Sequence, residues 1–292
     1  MIEEARGRIE YEEQGAGPAL VMVPGSCSTG AAWRPVMKAL GDNFRFVTTS
    51  LLGYGATAER RTDSDPSVLH EAEVLEAVIA RAGGNVHLVG HSFGGAVALI
   101  AAMRKRVPIA SLTMLEAPLP SLLNHYREDT HYRAFRDMTD AYFGAWRSGD
   151  REAIRTMIDF YGGEGTYASW PERVRGYAVE TTPVNMLDWA CAYDEPLSPE
   201  MLAAIDVPVS VAVGAQSHPA ICRANGLVAM SIKDATFKTI GGASHFMIST
   251  HPAQVAELIL QNVANAEKPR GPGTFEMAEP QRIQPHGTCC CE

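Results

Sequence analysis

The stretch Val86-His87-Leu88-Val89-Gly90-His91-Ser92-Phe93-Gly94-Gly95 constrains this chain more than any other. A short apolar run enters a Gly-x-Ser-x-Gly turn, and the helical pattern Ala96-Val97-Ala98-Leu99-Ile100-Ala101-Ala102 follows at once. A serine at a sharp strand-to-helix turn has its hydroxyl presented at the carboxyl edge of the strand. Gly90 and Gly94 leave room for the crowded backbone, and Gly95 lets the helix pack close to the sheet. The N–H of Phe93 lies free beside the hydroxyl at a helix N-terminus. Ser92 is therefore read as a nucleophile, against the plainer alternative of a glycine-rich turn with an incidental serine.

Around this turn, strands alternate with helices. Arg8–Glu12 alternates as an edge strand should, with a turn at 14–18, and Ala19–Val23 reads as a buried strand that stops at Pro24-Gly25. A helix is expected over Ala31–Leu40, a strand over Phe44–Thr49, and a helix from Pro66 to Gly83-Gly84. After the Ser92 strand and helix comes a strand at Ala110–Leu115. The alternation then resumes at Val207–Gly214, with a helix near Ala220–Met230, a strand at Thr236–Ile240 and a last helix from Pro252. Such alternation implies an α/β protein with a mostly parallel sheet covered on both faces.

Between these halves, residues 118–205 read as several helices with few strand signals. They hold 13 of the 22 aromatic residues in about a third of the chain, and short helices need large side chains to build a small core. Some of these rings build that core, and others are expected to line an apolar pocket above Ser92, the usual character of a small-molecule site. Phe143, Trp146, Phe160 and Trp189 are the expected lining. Residues 267–292 carry four prolines and three glycines with little periodicity and read as a disordered tail. Its ending, Cys289-Cys290-Cys291-Glu292, is a poor prenylation signal and at most an adventitious soft-metal ligand.

Composition narrows the function. A formal charge of −9 disfavours nucleic acid and anionic membranes as partners. No run approaches the ~18 apolar residues of a membrane span, and Met1–Arg6 lacks a secretory apolar region. The six cysteines form neither a disulfide framework nor a spaced zinc site. A cytoplasmic protein acting on a small molecule is expected, with no metal and no organic cofactor. The oligomeric state is not legible.

A serine nucleophile needs a base and a group that orients that base. Of nine histidines, His245 stands directly after the last strand, in Gly241-Gly242-Ala243-Ser244-His245-Phe246, and so at the same sheet edge as Ser92. His251 is its nearest rival and reads better as part of a helix start. His91, as the variable residue of the turn, is expected to point elsewhere.

With these pieces in place, the chain resembles the α/β-hydrolase family, in its cap-bearing branch of esterases, lipases, C–C hydrolases and dehalogenases. The resemblance covers residues 7–266 and rests on Gly90–Gly95, Pro24-Gly25-Ser26 with Trp33, Gly53-Tyr54-Gly55, and Gly242-Ala243-Ser244-His245. It implies an eight-stranded sheet flanked by helices, formed by residues 1–117 and 206–266, with 118–205 as an inserted helical cap. In the family a His-Gly-x loop follows the third strand. Here Pro24 stands for the histidine and Ser26 takes the x position, so the resemblance implies Ser26 and Phe93 as the backbone donors of an oxyanion hole.

The acid departs from the family pattern. The loop after the seventh strand reads Gly214-Ala215-Gln216-Ser217-His218-Pro219, and no aspartate or glutamate occurs between Asp206 and Asp234. Leu112-Thr113-Met114-Leu115-Glu116 ends an apolar strand in a carboxylate at the right edge, and some family members carry their acid there. The expected triad is Ser92, His245 and Glu116. Hydrolysis of small to medium, partly apolar carboxylic esters is the leading expectation. C–C bond or thioester hydrolysis with the same residues is the alternative, and a non-catalytic ligand-binding protein on this fold is the reading from another class.

Overall fold

A parallel strand buried on both faces reads as a nearly continuous apolar run, because helices cover each side of the sheet. The strands β4 (Ala19–Val23) and β6 (Val86–His91) are buried along their whole length and lie at the centre. The structure is a computed structural model, and it describes residues 1–268. The other strands are β1 (Ile2–Glu4), β2 (Gly7–Ile9), β3 (Glu12–Gly15), β5 (Arg45–Thr48), β7 (Ile109–Leu115), β8 (Val209–Gly214) and β9 (Thr236–Ile240). The main sheet has seven strands in the order β3-β5-β4-β6-β7-β8-β9. Only β3 runs antiparallel to its neighbour.

Seven strands, rather than the eight expected, follow from a break in the first one. Residues 7–9 pair with β1 as a separate two-stranded sheet, and residues 12–15 pair with β5. The interruption falls at Glu10, whose backbone N–H donates to Thr57 Oγ1 and whose carboxylate accepts from Ala56 N and Ser50 Oγ. These partners pull the chain off the sheet edge, and the backbone groups that leave the ladder are satisfied elsewhere.

Alternate side chains of the central strands feed two cores. Val21, Val23, Leu88, Leu112 and Met114 meet the apolar faces of α2 (Leu69–Ala82) and α3 (Phe93–Arg104). Leu20, Met22, Val89 and Leu115 meet α1 (Arg34–Leu40) on the opposite side. Between β7 and β8 the chain forms only helices: α4 (Pro120–His125), α5 (Asp129–Arg147), α6 (Arg155–Gly162), α7 (Thr166–Ser169), α8 (Glu172–Glu180), α9 (Thr182–Asp194) and α10 (Pro199–Ala203). After β8 come α11 (Pro219–Ser231), α12 (Met247–Thr250) and α13 (Pro252–Glu267), the last with α12 completing the second core. No helix among the described residues is long and apolar enough to cross a membrane. The tail expected to be disordered lies outside the described residues apart from its first two positions.

Candidate active site

Ser92 sits between the end of β6 and the start of α3 with φ 53° and ψ −130°, a conformation that side-chain-bearing residues rarely adopt. The turn holds because its neighbours lack side chains. A Cβ on Gly90 would lie 2.4 Å from the Gly94 carbonyl oxygen, and one on Gly94 would lie 2.2 Å from that of Pro24. Ser92 N–H donates to Leu115 O at 2.8 Å, tying the turn to the end of β7. Phe93 is the first residue of α3, so its N–H belongs to the helix end that lacks an intrahelical acceptor.

One residue beyond β7, Glu116 also has positive φ, at 51°. Its carboxylate is fully buried. Oε2 accepts from His245 Nδ1 at 2.7 Å, while Oε1 accepts from Gly214 N at 2.6 Å and from the Ser217 hydroxyl. Burial works to raise this carboxyl's pKa, but the bonds from His245, Ser217 and Gly214 outweigh it and hold the group below its ordinary value. An ionised Glu116 requires the proton on Nδ1 of His245, and in the neutral imidazole that tautomer makes Nε2 the acceptor. Ser217, at the position where the family pattern calls for an acid, thus donates a hydrogen bond to Glu116.

His91 differs from expectation. Rather than pointing away, it lines the same cavity as Ser92, and its Nε2–H donates to the His245 carbonyl at 2.8 Å. Burial, and then the nearby His245, push its imidazole down to about 3, so it is neutral and the carbonyl fixes its tautomer. His245 is held on its other side by Tyr161, with ring centroids 4.1 Å apart. His251 precedes α13 as expected.

The hydroxyl and imidazole open into a cavity of roughly 530 Å³, to which Ser26, Ser92, Phe93 and His245 all contribute. The Ser26 loop lies against the Ser92 turn: a Cβ on Gly25 would come within 2.7 Å of Ser92 Cβ. The helical insertion supplies most of the apolar wall, through Met157, Ile158, Tyr161, Trp170 and Trp189. Of the four rings expected there, Trp189 is at the cavity and the other three require correction. Phe160 turns to stack on His218 at 4.1 Å, while Met157, Ile158 and Tyr161 of the same helix take the cavity face. Phe143 and Trp146 lie off the lining and carry Arg147 and Arg151 over their rings at 5.9 and 5.2 Å.

Two polar side chains of α9 also line the cavity and escaped the sequence reading. Asp188 accepts from Ser26 Oγ, Tyr54 Oη and Arg61 Nη1, and Asn185, one turn earlier, is buried with its Oδ1 lacking a hydrogen-bond partner. Their signal was available: two polar residues at i and i+3 in a largely apolar helix.

The chain belongs to the alpha/beta hydrolase family, whose model matches residues 20–258. Among curated proteins it is 36% identical over 88 residues to the pimeloyl-[acyl-carrier protein] methyl ester esterase of Vibrio cholerae, covering 30% of this chain and 32% of that one. It is 32% identical over 114 residues to the 2-hydroxymuconate semialdehyde hydrolase of a Pseudomonas species, covering 37% and 39% of the two chains. The chain thus aligns to less than half the length of these curated relatives. Among solved structures, a thermophilic esterase from Thermogutta terrifontis superimposes with a TM-score of 0.71 at 22% identity, over 89% of this chain and 94% of that one. At that identity the likeness speaks to the fold alone.

Proposed function

We propose that the protein is a serine hydrolase that cleaves small to medium, partly apolar carboxylic esters through an acyl-enzyme. The observation that carries this reading is the Glu116–His245 hydrogen bond at the sheet edge where the Ser92 turn ends. That pairing gives the imidazole the tautomer a general base requires.

In the proposed reaction, His245 Nε2 takes the proton of Ser92 Oγ as the oxygen attacks the ester carbonyl carbon. The carbonyl oxygen becomes an anion, held by the backbone N–H groups of Ser26 and Phe93. Loss of one such donor typically costs about 10²–10³ in rate. As the tetrahedral species collapses, the carbon–oxygen bond to the alcohol breaks and the imidazolium returns its proton to that alcohol. His245 then deprotonates a water that attacks the acyl group. Ser92 leaves with the proton, and the carboxylic acid is released. Glu116 keeps the imidazole oriented and offsets its charge while it is protonated.

A cavity of roughly 530 Å³ with aromatic and aliphatic walls suits an acyl or alkyl group of modest size. The similarity to a methyl ester esterase favours the ester reading, and that to a semialdehyde hydrolase favours cleavage of a C–C bond with the same residues. A panel of p-nitrophenyl esters of increasing chain length, run beside a vinylogous diketone, separates the two. Ester turnover that disappears in Ser92→Ala is the expected result. Turnover of the diketone alone would move the assignment to the second reading. Activity that survives Ser92→Ala would remove both, and an inert wild-type protein would favour a binding role on this fold.

A further inference from the structure

Asp188 carries a buried carboxylate into the cavity, yet the hydrolytic steps above make no use of it. Its Oδ2 accepts from Ser26 Oγ at 2.5 Å and from Tyr54 Oη at 2.6 Å, and its Oδ1 accepts from Arg61 Nη1 at 2.7 Å. Arg61 has its side chain fully buried and also pairs with Glu71 at 3.2 Å and Glu59 at 2.8 Å. A buried carboxylate is costly unless it is paired and its lone pairs are filled. Here both conditions are met, and Ser26 is one of the donors that meet them.

Ser26 occupies a loop between β4 and a short 3₁₀ turn at Gly30–Trp33, outside regular structure. A backbone N–H that stabilises a transition state must be held within about half an ångström of its working position. The hydrogen bond from the Ser26 side chain reaches across 162 residues to the helical insertion. The geometry points to Asp188 as a positioning residue for the oxyanion loop: through the Ser26 hydroxyl, helix α9 fixes where the Ser26 backbone N–H points. Tyr54 and Arg61 hold the carboxylate in place for that task. The insertion then builds more than the pocket wall; its docking on the core sets part of the catalytic geometry.

This inference rests on the serine-hydrolase reading and is tested by four variants on p-nitrophenyl butyrate: Ser26→Ala, Ser26→Thr, Asp188→Asn and the Ser26→Ala/Asp188→Asn pair. In Asp188→Asn, Arg61 keeps the amide oxygen, so the NH₂ group faces the Ser26 and Tyr54 hydroxyls and the Ser26 bond must be remade. The expected result is a fall in kcat of about 10–100-fold for Ser26→Ala and for Asp188→Asn, smaller than removal of a donor, with KM within about threefold. The pair should be no more than about threefold worse than the poorer single variant, because both changes cut one link. Ser26→Thr, which keeps the hydroxyl, should recover most of the rate. Affinity for an alkyl boronic acid, whose tetrahedral adduct fills the oxyanion site, should fall in step with kcat.

Losses that multiply in the pair, an effect confined to KM, or a Ser26→Ala variant with wild-type kcat would each overturn the inference. Ser26→Ala removes one donor to Asp188 but keeps the charged pairs and the bonds from Tyr54 and Arg61, so it decides the matter even if Asp188→Asn does not fold. A wild-type protein inert towards p-nitrophenyl esters and unable to bind the boronic acid would remove the hydrolase reading itself, and this inference with it. An active wild type with an unaffected Ser26→Ala removes this inference alone.

Discussion

Replacing Glu116 by glutamine changes one atom and should remove nearly all turnover. Oε1 accepts from Gly214 N–H and the Ser217 hydroxyl, and both of these need an acceptor there. In Glu116→Gln the amide oxygen therefore stays at that position, and the NH₂ group takes the place of Oε2, 2.7 Å from His245 Nδ1 in the parent geometry. Two donors cannot share that distance, so the imidazole moves its proton from Nδ1 to Nε2. An Nε2 that already bears hydrogen cannot accept the proton of Ser92. In a serine triad, the same carboxylate-to-amide change costs about 10⁴ in kcat. We expect a fall of about 10³–10⁴, a barrier higher by roughly 4–5.5 kcal/mol. The fold should survive, because the shape is unchanged and a buried charge is removed. The assay is kcat on p-nitrophenyl butyrate, with thermal unfolding run alongside. A folded Glu116→Gln variant with kcat within tenfold of wild type would refute the role given to Glu116.

The buried His91 predicts a pH effect on stability. Its imidazole is pushed down to about 3 by burial and then by His245, whereas in the unfolded chain it protonates near 6.5. The unfolded state therefore binds more protons below pH 6.5, so this contribution is complete above that pH and fades as the pH falls towards 3. By pH 5 the loss amounts to about 2 kcal/mol. Urea unfolding at pH 8 and pH 5 should show wild type losing that much more than His91→Gln, and equal losses would contradict the assignment. The glycines make a paired prediction. Gly94→Ala should destabilise by about 3 kcal/mol or more, since its Cβ would meet the Pro24 carbonyl oxygen at 2.2 Å. Gly144→Ala, in the interior of α5 with nothing within 4 Å, should stabilise by about 0.5–1 kcal/mol. Denaturant midpoints that moved the same way for both would argue against the described packing.

What the sequence revealed, and what it withheld, follows from which interactions are local. The β6–α3 turn was legible because a doubly covered parallel strand is mostly apolar and the turn demands its glycines within six positions. The limits of β9 and the start of α13 were legible because Thr236–Ile240 and Pro252 carry their signals within a few residues. Glu116 was legible from three signals together: the loop after β8 lacks an acid, an apolar strand ends at Glu116, and the family resemblance allows an acid there. The break between β2 and β3 was not legible, because it depends on Glu10 meeting Ala56 and Ser50 across some forty residues. His91 likewise takes its orientation from a carbonyl 154 residues away. For the aromatic residues of the insertion, spacing marks which are apolar but not which face of α5 or α6 looks into the cavity. Phe160 and Tyr161 are adjacent in sequence, yet only Tyr161 reaches His245.

If the Ser92 hydroxyl is an activated nucleophile, it reacts with an organophosphorus electrophile. Incubation with a fluorophosphonate, followed by peptide mass spectrometry, reads this directly without assuming a substrate. The expected result is one phosphonyl group per chain, on the peptide that contains Ser92, with labelling abolished by heat denaturation and sharply slowed in Glu116→Gln. A native protein that stays unlabelled while a control esterase reacts, or that is labelled on another residue, would contradict it.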